Sequence, residues 1–299
     1  MNNKYEFVKC PLCNKNDYEI IIHQTKKIGG GKKYFEAIFN SSSSIFCDQV
    51  VRCKMCNFIY LNPRIKQKII NKGYSFSKDS KFISQNKNRI KTFKNTLNII
   101  SERIDLSKKK ILDIGSGGGA FLKACKDNNI KAEGIEPNKW LVNFSKKKYG
   151  VNISTRKLDK ITKSYDIISL FDVLEHIPNI KLTIKKIYRL VKKDGYLIIN
   201  VPDHDSLARK LLRKKWPFYL SVHLHYFDKD SLCRLLNKKF NLVYSRPYWQ
   251  FLELDYVLGR ASEYFRILKI LKKSIFFLNL DKTSLKYNMG QTLFIFKKK

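Results

Sequence analysis

The architecture of this chain of 299 residues is indicated by one segment, Ile111-Leu112-Asp113-Ile114-Gly115-Ser116-Gly117-Gly118-Gly119-Ala120. An apolar run that predicts a buried strand leads into it, and a helical pattern follows it. Glycine tolerates positive φ and lets the backbone approach a ligand closely. A strand, a glycine loop and a helix in this order therefore predict a binding site for a nucleoside-containing ligand.

Two ligands fit this loop. Gly115, Gly117 and Ala120 match the fingerprint of dinucleotide-binding proteins, and Glu136 follows Gly115 by about 20 residues, where an acid accepts ribose hydroxyls. Asp113 favours the other ligand, because a carboxylate beside the loop repels a pyrophosphate and attracts the ammonium and sulfonium of S-adenosylmethionine. An NAD-dependent oxidoreductase is therefore the disfavoured alternative.

From about residue 108, short apolar strands alternate with amphipathic helices, which predicts a parallel sheet with helices on both faces. We predict strands at Lys110 to Ile114, Ala132 to Ile135, Val151 to Ser154, Tyr165 to Phe171, Gly195 to Val201, Asn241 to Tyr248 and Thr292 to Phe296. The helical patterns span Ile180 to Val191, Ser206 to Lys214, Lys229 to Lys238 and about 252 to 280.

The glycine stretch resembles motif I of class I S-adenosylmethionine-dependent methyltransferases. Further segments resemble the same family in the same order: Gly134 to Pro137, Tyr165 to Ile177, Lys193 to Pro202 and Gly290 to Phe296. The resemblance implies an α/β fold with a doubly wound, seven-stranded, mostly parallel sheet, in the order 3-2-1-4-5-7-6 with the last strand antiparallel. It also implies S-adenosylmethionine as cofactor. The predicted cofactor-binding residues are Asp113, Gly115, Gly117, Gly119, Glu136 and Phe171.

Four cysteines predict a structural Zn²⁺ site near the N-terminus. Cys10-x-x-Cys13 and Cys53-x-x-Cys56 each offer two thiolates, and together they complete a tetrahedral set. Cys47, Cys125 and Cys233 have no partner at metal spacing, and Cys125 falls on an apolar helix face. We divide the chain into a zinc-ribbon-like module (1–62), a helical bridging or cap region (63–106) and a methyltransferase domain (107–299).

The front of the chain resembles a particular group of bacterial methyltransferases that begin with such a module. Cys53 to Cys56, followed by Tyr60 to Arg64, carries this resemblance, and His223-Leu224-His225-Tyr226-Phe227 resembles the H-x-x-x-F segment of that group. The resemblance implies a saccharide or secondary-metabolite acceptor. Two features depart from the family pattern. Only Asp159 is available as an acid for the adenine after the third strand, and the large C-terminal domain of sugar C-methyltransferases has no counterpart.

Composition limits the partners and the compartment. The formal net charge is +35, from 60 basic and 25 acidic residues, which indicates either an anionic partner or a codon bias with a solvated basic surface. The polar start shows no export signal, and no run approaches about 18 apolar residues. We therefore expect a cytoplasmic protein whose seven cysteines serve metal binding or remain thiols.

Methyl transfer is an in-line displacement, so the enzyme mainly aligns its reactants, and a protic acceptor also needs a base. In a doubly wound sheet the site lies at the carboxyl ends of the strands, which places Phe171 and Asp172 beside the methyl group. We predict His176 as the first candidate for the general base, because it follows one turn later and titrates near neutral pH. His223 is the second candidate. In an extended stretch His225 would face the same way as His223.

Two other segments have possible roles at surfaces of the site. Tyr74, Phe76 and Phe82 lie in the bridging region, where aromatic side chains either cover the cofactor or pack as an ordinary cap. Residues 252 to 280 mix apolar residues with Arg260, Arg266, Lys269, Lys272 and Lys273. This pattern indicates either a core-facing helix with a solvated face or peripheral association with an anionic membrane surface.

We expect a small-molecule methyltransferase that acts on a saccharide or a saccharide-linked intermediate, with transfer to oxygen favoured. The alternative is a nucleic-acid methyltransferase or a zinc-dependent nucleic-acid-binding protein, which the net charge and the zinc module support. Against it, Phe171-Asp172-Val173-Leu174 stands where base-modifying enzymes carry an N/D-P-P-Y-type motif, and no concentrated basic-aromatic stripe is visible.

Overall fold

Short strands build the beginning of the chain. The structure is a computed structural model that describes residues 4–24, 48–262 and 282–299. Its first strands are β1 Tyr5–Glu6, β2 Tyr18–Ile22, β3 Val50–Cys53, β4 Ile59–Leu61 and β5 Arg64–Ile65. β1 pairs with β5, while β2, β3 and β4 form an antiparallel sheet. The stretches Gly29 to Gly31 and Ser41 to Ser44, like Cys47, lie outside the described residues.

Three helices follow: α1 Gln67–Phe76, α2 Ser80–Ser84 and α3 Asn86–Ser101. They occupy the stretch whose pattern is helical and polar. The Asp79 side chain caps α2 by accepting the Phe82 amide hydrogen at 2.9 Å. At the start of α3, Asn86 donates to the carbonyl of Gly118 at 2.8 Å, which ties this helix to the glycine loop.

A seven-stranded sheet forms the centre of the remaining chain. Its strands are β6 Lys110–Ile114, β7 Lys131–Ile135, β8 Ile153–Ser154, β9 Tyr165–Phe171, β10 Val191–Pro202, β12 Phe240–Pro247 and β15 Gln291–Lys298. The smaller sheets use β11 His225–Tyr226, β13 Gln250–Glu253 and β14 Ser284–Tyr287. The order across the large sheet is β12-β15-β10-β9-β6-β7-β8, and β15 is antiparallel to both neighbours. The predicted order 3-2-1-4-5-7-6 is confirmed.

Helices cover both faces of this sheet. They are α4 Ala120–Asp127, α5 Lys139–Tyr149, α6 Ile180–Leu190 and α8 Lys229–Leu236. Two further helices lie elsewhere: α7 Leu207–Leu212 packs through Leu212 on the cluster of Trp216, and α9 Leu254–Ala261 contacts β13. Successive residues of a strand point to opposite faces. Accordingly Leu112 of β6 joins the core cluster that contains the buried stripe of α6, whereas Ile111 joins the cluster of α4. Cys125 of α4 is fully buried there, as its position on the apolar face predicts.

Several predicted boundaries differ from the structure. The third strand of the sheet is only Ile153–Ser154. The fifth begins at Val191 rather than Gly195, because Val191 already pairs with Tyr165, ahead of an irregularity in register between Val191 and Tyr196. The helix predicted to start at Ser206 ends at Leu212 and continues as a 3₁₀ turn. The prediction of a helix from residue 252 is wrong at its start, since β13 pairs with β14; residues 263–281 lie outside the described part.

One strand joins the two ends of the fold. β11, which follows the large sheet's fifth strand in sequence, pairs with β4 and so completes the four-stranded sheet β11-β4-β3-β2. The hydrogen bond from the Leu61 amide to the Leu224 carbonyl, at 3.0 Å, extends this pairing. The sheet that follows the cysteine turns is therefore completed by a segment from the other half of the chain.

Across residues 4–24, 48–262 and 282–299, none of the helices has both the length and the apolar character needed to span a bilayer.

Candidate functional site

The glycine loop has the backbone conformation that its sequence predicts. Gly115, Gly117 and Gly119 have φ values of 73°, 50° and 74°, in the left-handed region that glycine adopts without strain. A side chain at Gly115 would also collide with Val173. The Gly115 amide donates to the carbonyl of Ile135 at 2.8 Å, which holds the loop against the end of β7. The loop is thus fixed in a conformation that only glycines adopt without strain.

Asp113 lies beneath this loop in the protein interior. Only 3% of the residue is exposed, and its carboxylate accepts a hydrogen bond from the Ser169 hydroxyl of β9 at 2.7 Å. Burial raises the pKa of Asp113 to about 7, although the bonds from Ser169 and Ser116 oppose the rise. Asp113 therefore supports the loop from below and carries a charge that depends on pH near neutrality.

Glu136 joins the second strand to the loop. Its carboxylate accepts the Gly117 amide hydrogen at 2.9 Å and the Asn138 amide hydrogen at 2.8 Å, and the residue is 1% exposed. Burial raises the pKa of Glu136 to about 7 against these two bonds. Asn138 also caps α5 by accepting the Leu141 amide hydrogen. The predicted ribose acid is thus fixed at the loop by backbone donors.

The bridging helices cover the loop. A Cβ atom at Gly117 would lie 3.2 Å from the Phe82 ring, and the Arg89 guanidinium stacks 3.7 Å from the centroid of that ring. The carbonyl of Tyr74 accepts a hydrogen bond from Asn138 at 2.7 Å, so α1 reaches the same place. Of the three aromatic residues predicted here, Phe82 lies on the loop and Tyr74 lies at its edge; the Phe76 side chain is outside the described part of the chain.

Asp172 is clamped at the carboxyl end of β9. Its φ is 56°, and its carboxylate accepts hydrogen bonds from the amides of Asn200 (2.8 Å) and Gln291. The side chain stays accessible to solvent although protein surrounds it on most sides. This enclosure raises the pKa of Asp172 to about 6, and the positive charge of Arg89 opposes the rise.

Phe171, predicted to lie beside the methyl group, is half-buried. Its ring packs against three aromatic residues, with centroid distances of 5.0 Å to Phe93, 4.8 Å to Phe121 and 6.4 Å to Tyr248. This aromatic group belongs to the core cluster between the sheet and the helices α3 and α4.

His176 and His223 come together. Their ring centroids are 4.7 Å apart with the rings edge to face. The Nδ1 atom of His176 lies 2.9 Å from the carbonyl of Val222, and Nδ1 of His223 lies 2.8 Å from that of Phe218. A carbonyl only accepts, so each Nδ1 carries the hydrogen, and in a neutral ring the lone pair is then on Nε2. Burial lowers the pKa of His176 to about 4, so this imidazole is neutral at pH 7.

His225 does not share the surroundings of His223, which differs from the expectation for an extended stretch. His223 lies in the irregular segment before β11, whereas His225 lies in the strand. Nε2 of His225 donates to the carbonyl of Ile177 at 2.9 Å, and its ring packs against Phe58 and Phe227. Alternation along a strand therefore does not apply to this pair.

A family model described as a methyltransferase domain matches residues 84–244, which is more than half of the chain. This chain belongs to that methyltransferase family. Residues 84–244 therefore form a methyltransferase domain, which contains both the glycine loop and Glu136.

Individual relatives resemble this methyltransferase over part of its length. The ubiquinone biosynthesis O-methyltransferase of Pseudomonas fluorescens strain Pf0-1 is 26% identical over 121 residues, which cover 38% of this chain and 52% of the relative. That of Pseudomonas savastanoi pv. phaseolicola strain 1448A is 27% identical over 121 residues. The chain spans about half the length of the curated relatives it matches. A SAM-dependent methyltransferase from Archaeoglobus fulgidus, 22% identical, shares the fold with a TM-score of 0.50 over 74% of this chain and 100% of that one.

Glu175 is a residue of this methyltransferase that the sequence reasoning missed. It is 1% exposed, and neither carboxylate oxygen has a hydrogen-bond partner among the described residues. One carboxylate oxygen of Glu175 and one ring nitrogen from each of His176 and His223 lie within 4.8 Å of one another. Burial and the nearby Asp172 charge raise the pKa of Glu175 well above its usual range. A buried acid directly before a candidate histidine was the available signal.

Arg89 is a second residue that sequence reasoning missed. Its Nε is buried without a hydrogen-bond partner among the described residues, beside the ring that covers the glycine loop. A buried guanidinium donor left open in this way fits a carboxylate or phosphate on a ligand.

The four cysteines of the methyltransferase meet at one point. Sγ of Cys10 lies 3.5 Å from Sγ of Cys56, Sγ of Cys13 lies 3.5 Å from Sγ of Cys53, and all four sulfurs lie within 4.8 Å of one another. Thiolates bound at about 2.3 Å to a tetrahedral Zn²⁺ stand roughly 3.8 Å apart, so this spacing fits the ion.

The two cysteine turns have the same local structure. Asn14 and Asn57, which follow the second cysteine of each pair, have φ values of 64° and 57°. The Asn14 amide donates to the Cys10 carbonyl and the Asn57 amide to the Cys53 carbonyl, both at 2.8 Å. Asparagine tolerates this left-handed conformation better than most residues. Two matching turns therefore present four thiols to a shared centre.

Proposed function

We propose that this methyltransferase transfers a methyl group from S-adenosylmethionine to a hydroxyl oxygen of a small polar acceptor, a saccharide or a saccharide-linked intermediate. The observation that carries this proposal is the cluster of Glu175, His176 and His223 next to Asp172. It offers the Nε2 lone pair of His176 and the carboxyl oxygens of Glu175, which suit an acceptor rich in hydroxyl groups. The relatives named O-methyltransferases support transfer to oxygen.

The cofactor would be held by the loop and its cover. The Glu136 carboxylate would accept ribose hydroxyls, the backbone of Gly115 and Gly117 would line the ligand, and Arg89 would pair with a carboxylate. When bound, S-adenosylmethionine supplies an electrophilic methyl group. Ionised Asp113 would favour a cationic ligand over a pyrophosphate.

His176 would take the proton of the acceptor hydroxyl on its Nε2, with His223 as the second candidate. Since the Val222 carbonyl holds the Nδ1 hydrogen, Nε2 is the basic atom at neutral pH. Burial disfavours a protonated imidazole here, and Glu175, whose pKa is raised well above its usual range, would stabilise that charge only after losing its own proton. Asp172, fixed by Asn200, would accept a second hydroxyl of the acceptor.

The zinc module would position this acceptor side. Zn²⁺ bound by Cys10, Cys13, Cys53 and Cys56 would rigidify the turns that flank β3 and β4, and β4 pairs with β11, directly after His223. The chain would then consist of the module (1–62), the bridging region (63–106) and the methyltransferase domain (107–299), and the pairing of β4 with β11 joins the first part to the last. A reduced, zinc-binding chain suits a cytoplasmic location.

A methyl-transfer screen with labelled S-adenosylmethionine tests the proposal. The acceptors would be nucleotide sugars, polysaccharide intermediates, phenols and mixed RNA. Label in a saccharide ether, absent with the His176→Asn variant, is the expected result. Label in RNA would favour the second candidate, a nucleic-acid methyltransferase, which the net charge of +35 supports. Label only in phenols would contradict the saccharide assignment and leave transfer to oxygen intact.

A further inference from the structure

Helix α7 presents two leucines to solvent. Leu207 and Leu211 are each 72% exposed, more than any other large apolar side chain among the described residues, where the next is Met55 at 64%. They stand four residues apart and therefore lie on the same face of the helix, one turn from each other. Exposing two leucines side by side costs free energy unless another surface covers them.

The helix itself is anchored, so this exposure is not a frayed end. Ser206 caps α7 by accepting the Arg209 amide hydrogen, and the Arg209 guanidinium donates to the His204 carbonyl at 2.6 Å. Leu212 packs on the cluster that contains Trp216, whose indole donates to the Met289 carbonyl at 2.7 Å. The inner face of α7 is thus satisfied by the fold and the outer face is not.

Positive charge surrounds the two leucines. Lys210, Arg213, Lys214 and Lys215 are all exposed. Asp205 pairs with Lys210 at 2.7 Å, but among the described residues neither Arg213 nor Lys214 has an acidic partner. An apolar pair ringed by cations matches the boundary between the acyl chains and the head groups of an anionic bilayer.

The position of α7 links this surface to the acceptor side of the site. α7 follows the carboxyl end of β10, and the segment after it leads to His223. The ring centroids of Trp216 and Phe218 are 5.4 Å apart, and those of Phe218 and His223, which are stacked, are 6.2 Å apart. Two ring contacts therefore separate the end of the basic helix from the histidine cluster.

We propose that the outer face of α7, formed by Leu207, Leu211, Lys210, Arg213 and Lys214, docks on an anionic lipid bilayer. The two leucines enter the interface and the cations contact the lipid head groups. Nucleic acid fits this face less well, because the phosphate backbone offers nothing to cover two adjacent leucines. The docking surface stands independently of the acceptor and of the methyl-transfer proposal.

Vesicle flotation of the full chain tests this proposal. We expect binding to vesicles of phosphatidylcholine with phosphatidylglycerol and much weaker binding to phosphatidylcholine alone. Replacing both leucines, Leu207→Ser with Leu211→Ser, should lower partitioning at least about tenfold, since apolar insertion is lost. Replacing Arg213→Gln with Lys214→Gln should lower partitioning to the anionic vesicles by about fivefold per charge.

The matched control is Leu182→Ser. Leu182 is 45% exposed on α6 with Lys181, Lys185 and Lys186 near it in sequence, and this variant should bind vesicles like the parent chain. Thermal melting and S-adenosylmethionine titration would confirm that each variant is folded. These two measurements do not depend on vesicles, so failure of methyl transfer and failure of docking are separable.

Three results would overturn the proposal. One is equal vesicle binding by the parent and the double leucine variant, which would leave only diffuse attraction of a basic protein. The second is absence of binding to the anionic vesicles. The third is a shift from dimer to monomer in sedimentation caused by the leucine substitutions, which would assign the face to a second copy of this chain.

Discussion

The two sides of the proposed active site, one for the cofactor and one for the acceptor, are built in different ways. On the cofactor side, Asp113, the glycines and Glu136 come from neighbouring parallel strands and are held by backbone hydrogen bonds. On the acceptor side, the 3₁₀ turn Leu174–His176, the segment before β11 and the strand β4 meet from three distant parts of the chain. The cofactor side is thus a local unit, whereas the acceptor side depends on how the N-terminal module is seated.

The largest expected effect is on the acceptor side alone. His176→Asn removes the proposed base, so kcat should fall by about a thousandfold, while the Kd for S-adenosylmethionine stays unchanged. His23→Gln, a change outside both sides, is the control and should leave both constants unaltered. If kcat fell less than about threefold, His223 would replace His176 as the base.

The second largest effect should come from removal of the zinc ligands, which should impair the acceptor side. The double change Cys53→Ser with Cys56→Ser removes two of the four thiolates, so the segment before β11 loses its support and kcat should fall by up to about a hundredfold. Bound zinc, measured by mass spectrometry, should disappear. Cys233→Ser, a half-buried thiol on α8, should change neither quantity. Full zinc content in the double variant would contradict the assignment.

Removal of Glu136 should act on the cofactor side alone. Glu136→Ala removes a buried acceptor for ribose hydroxyls. The loss of two hydrogen bonds to the ribose should weaken S-adenosylmethionine binding by about a hundredfold. Glu133→Gln is the matched control on the same strand, because its carboxylate bonds the Tyr165 hydroxyl at 2.7 Å instead of the loop. Calorimetric titration measures both, and equal affinities would contradict the assigned role.

The smallest expected effect is the pH dependence of cofactor binding. Asp113 and Glu136 titrate near pH 7 in the free protein, and a cationic ligand prefers their ionised forms. S-adenosylmethionine affinity should therefore rise about tenfold between pH 6 and pH 8. In the Asp113→Asn variant the affinity should change less with pH. An affinity of the parent chain that falls between pH 6 and pH 8 would contradict this prediction.

The raised pKa values of Asp113 and Glu136 also determine whether the stability of the ligand-free protein rises or falls with pH. The folded pKa of each carboxyl lies above its ordinary value of 3.8 or 4.5. Their contribution to stability is therefore complete below about pH 4 and is lost as the pH rises through 7. The melting temperature of the ligand-free protein should decline over this window less in Asp113→Asn than in the parent, as calorimetry would show.

The cofactor side is easier to predict from the sequence than the acceptor side. The glycine loop between a strand and a helix is predictable because local spacing and a repeated strand-helix pattern specify it, and the order of the strands follows from the resemblance to the family. The pairing of β11 with β4 is not predictable, since a two-residue strand has no recognisable period and its partner is far away in sequence. Glu175 and Arg89 escape prediction because what marks them is buried polar atoms without partners, a property of packing.

Calorimetric titration of the wild-type protein with S-adenosylmethionine, and separately with NADH, would show which cofactor the glycine loop binds. We expect one S-adenosylmethionine bound per chain with heat release at pH 8, and no heat with NADH. Saturable binding of NADH, with none of S-adenosylmethionine, would contradict the roles given to Asp113, Glu136 and the loop between them.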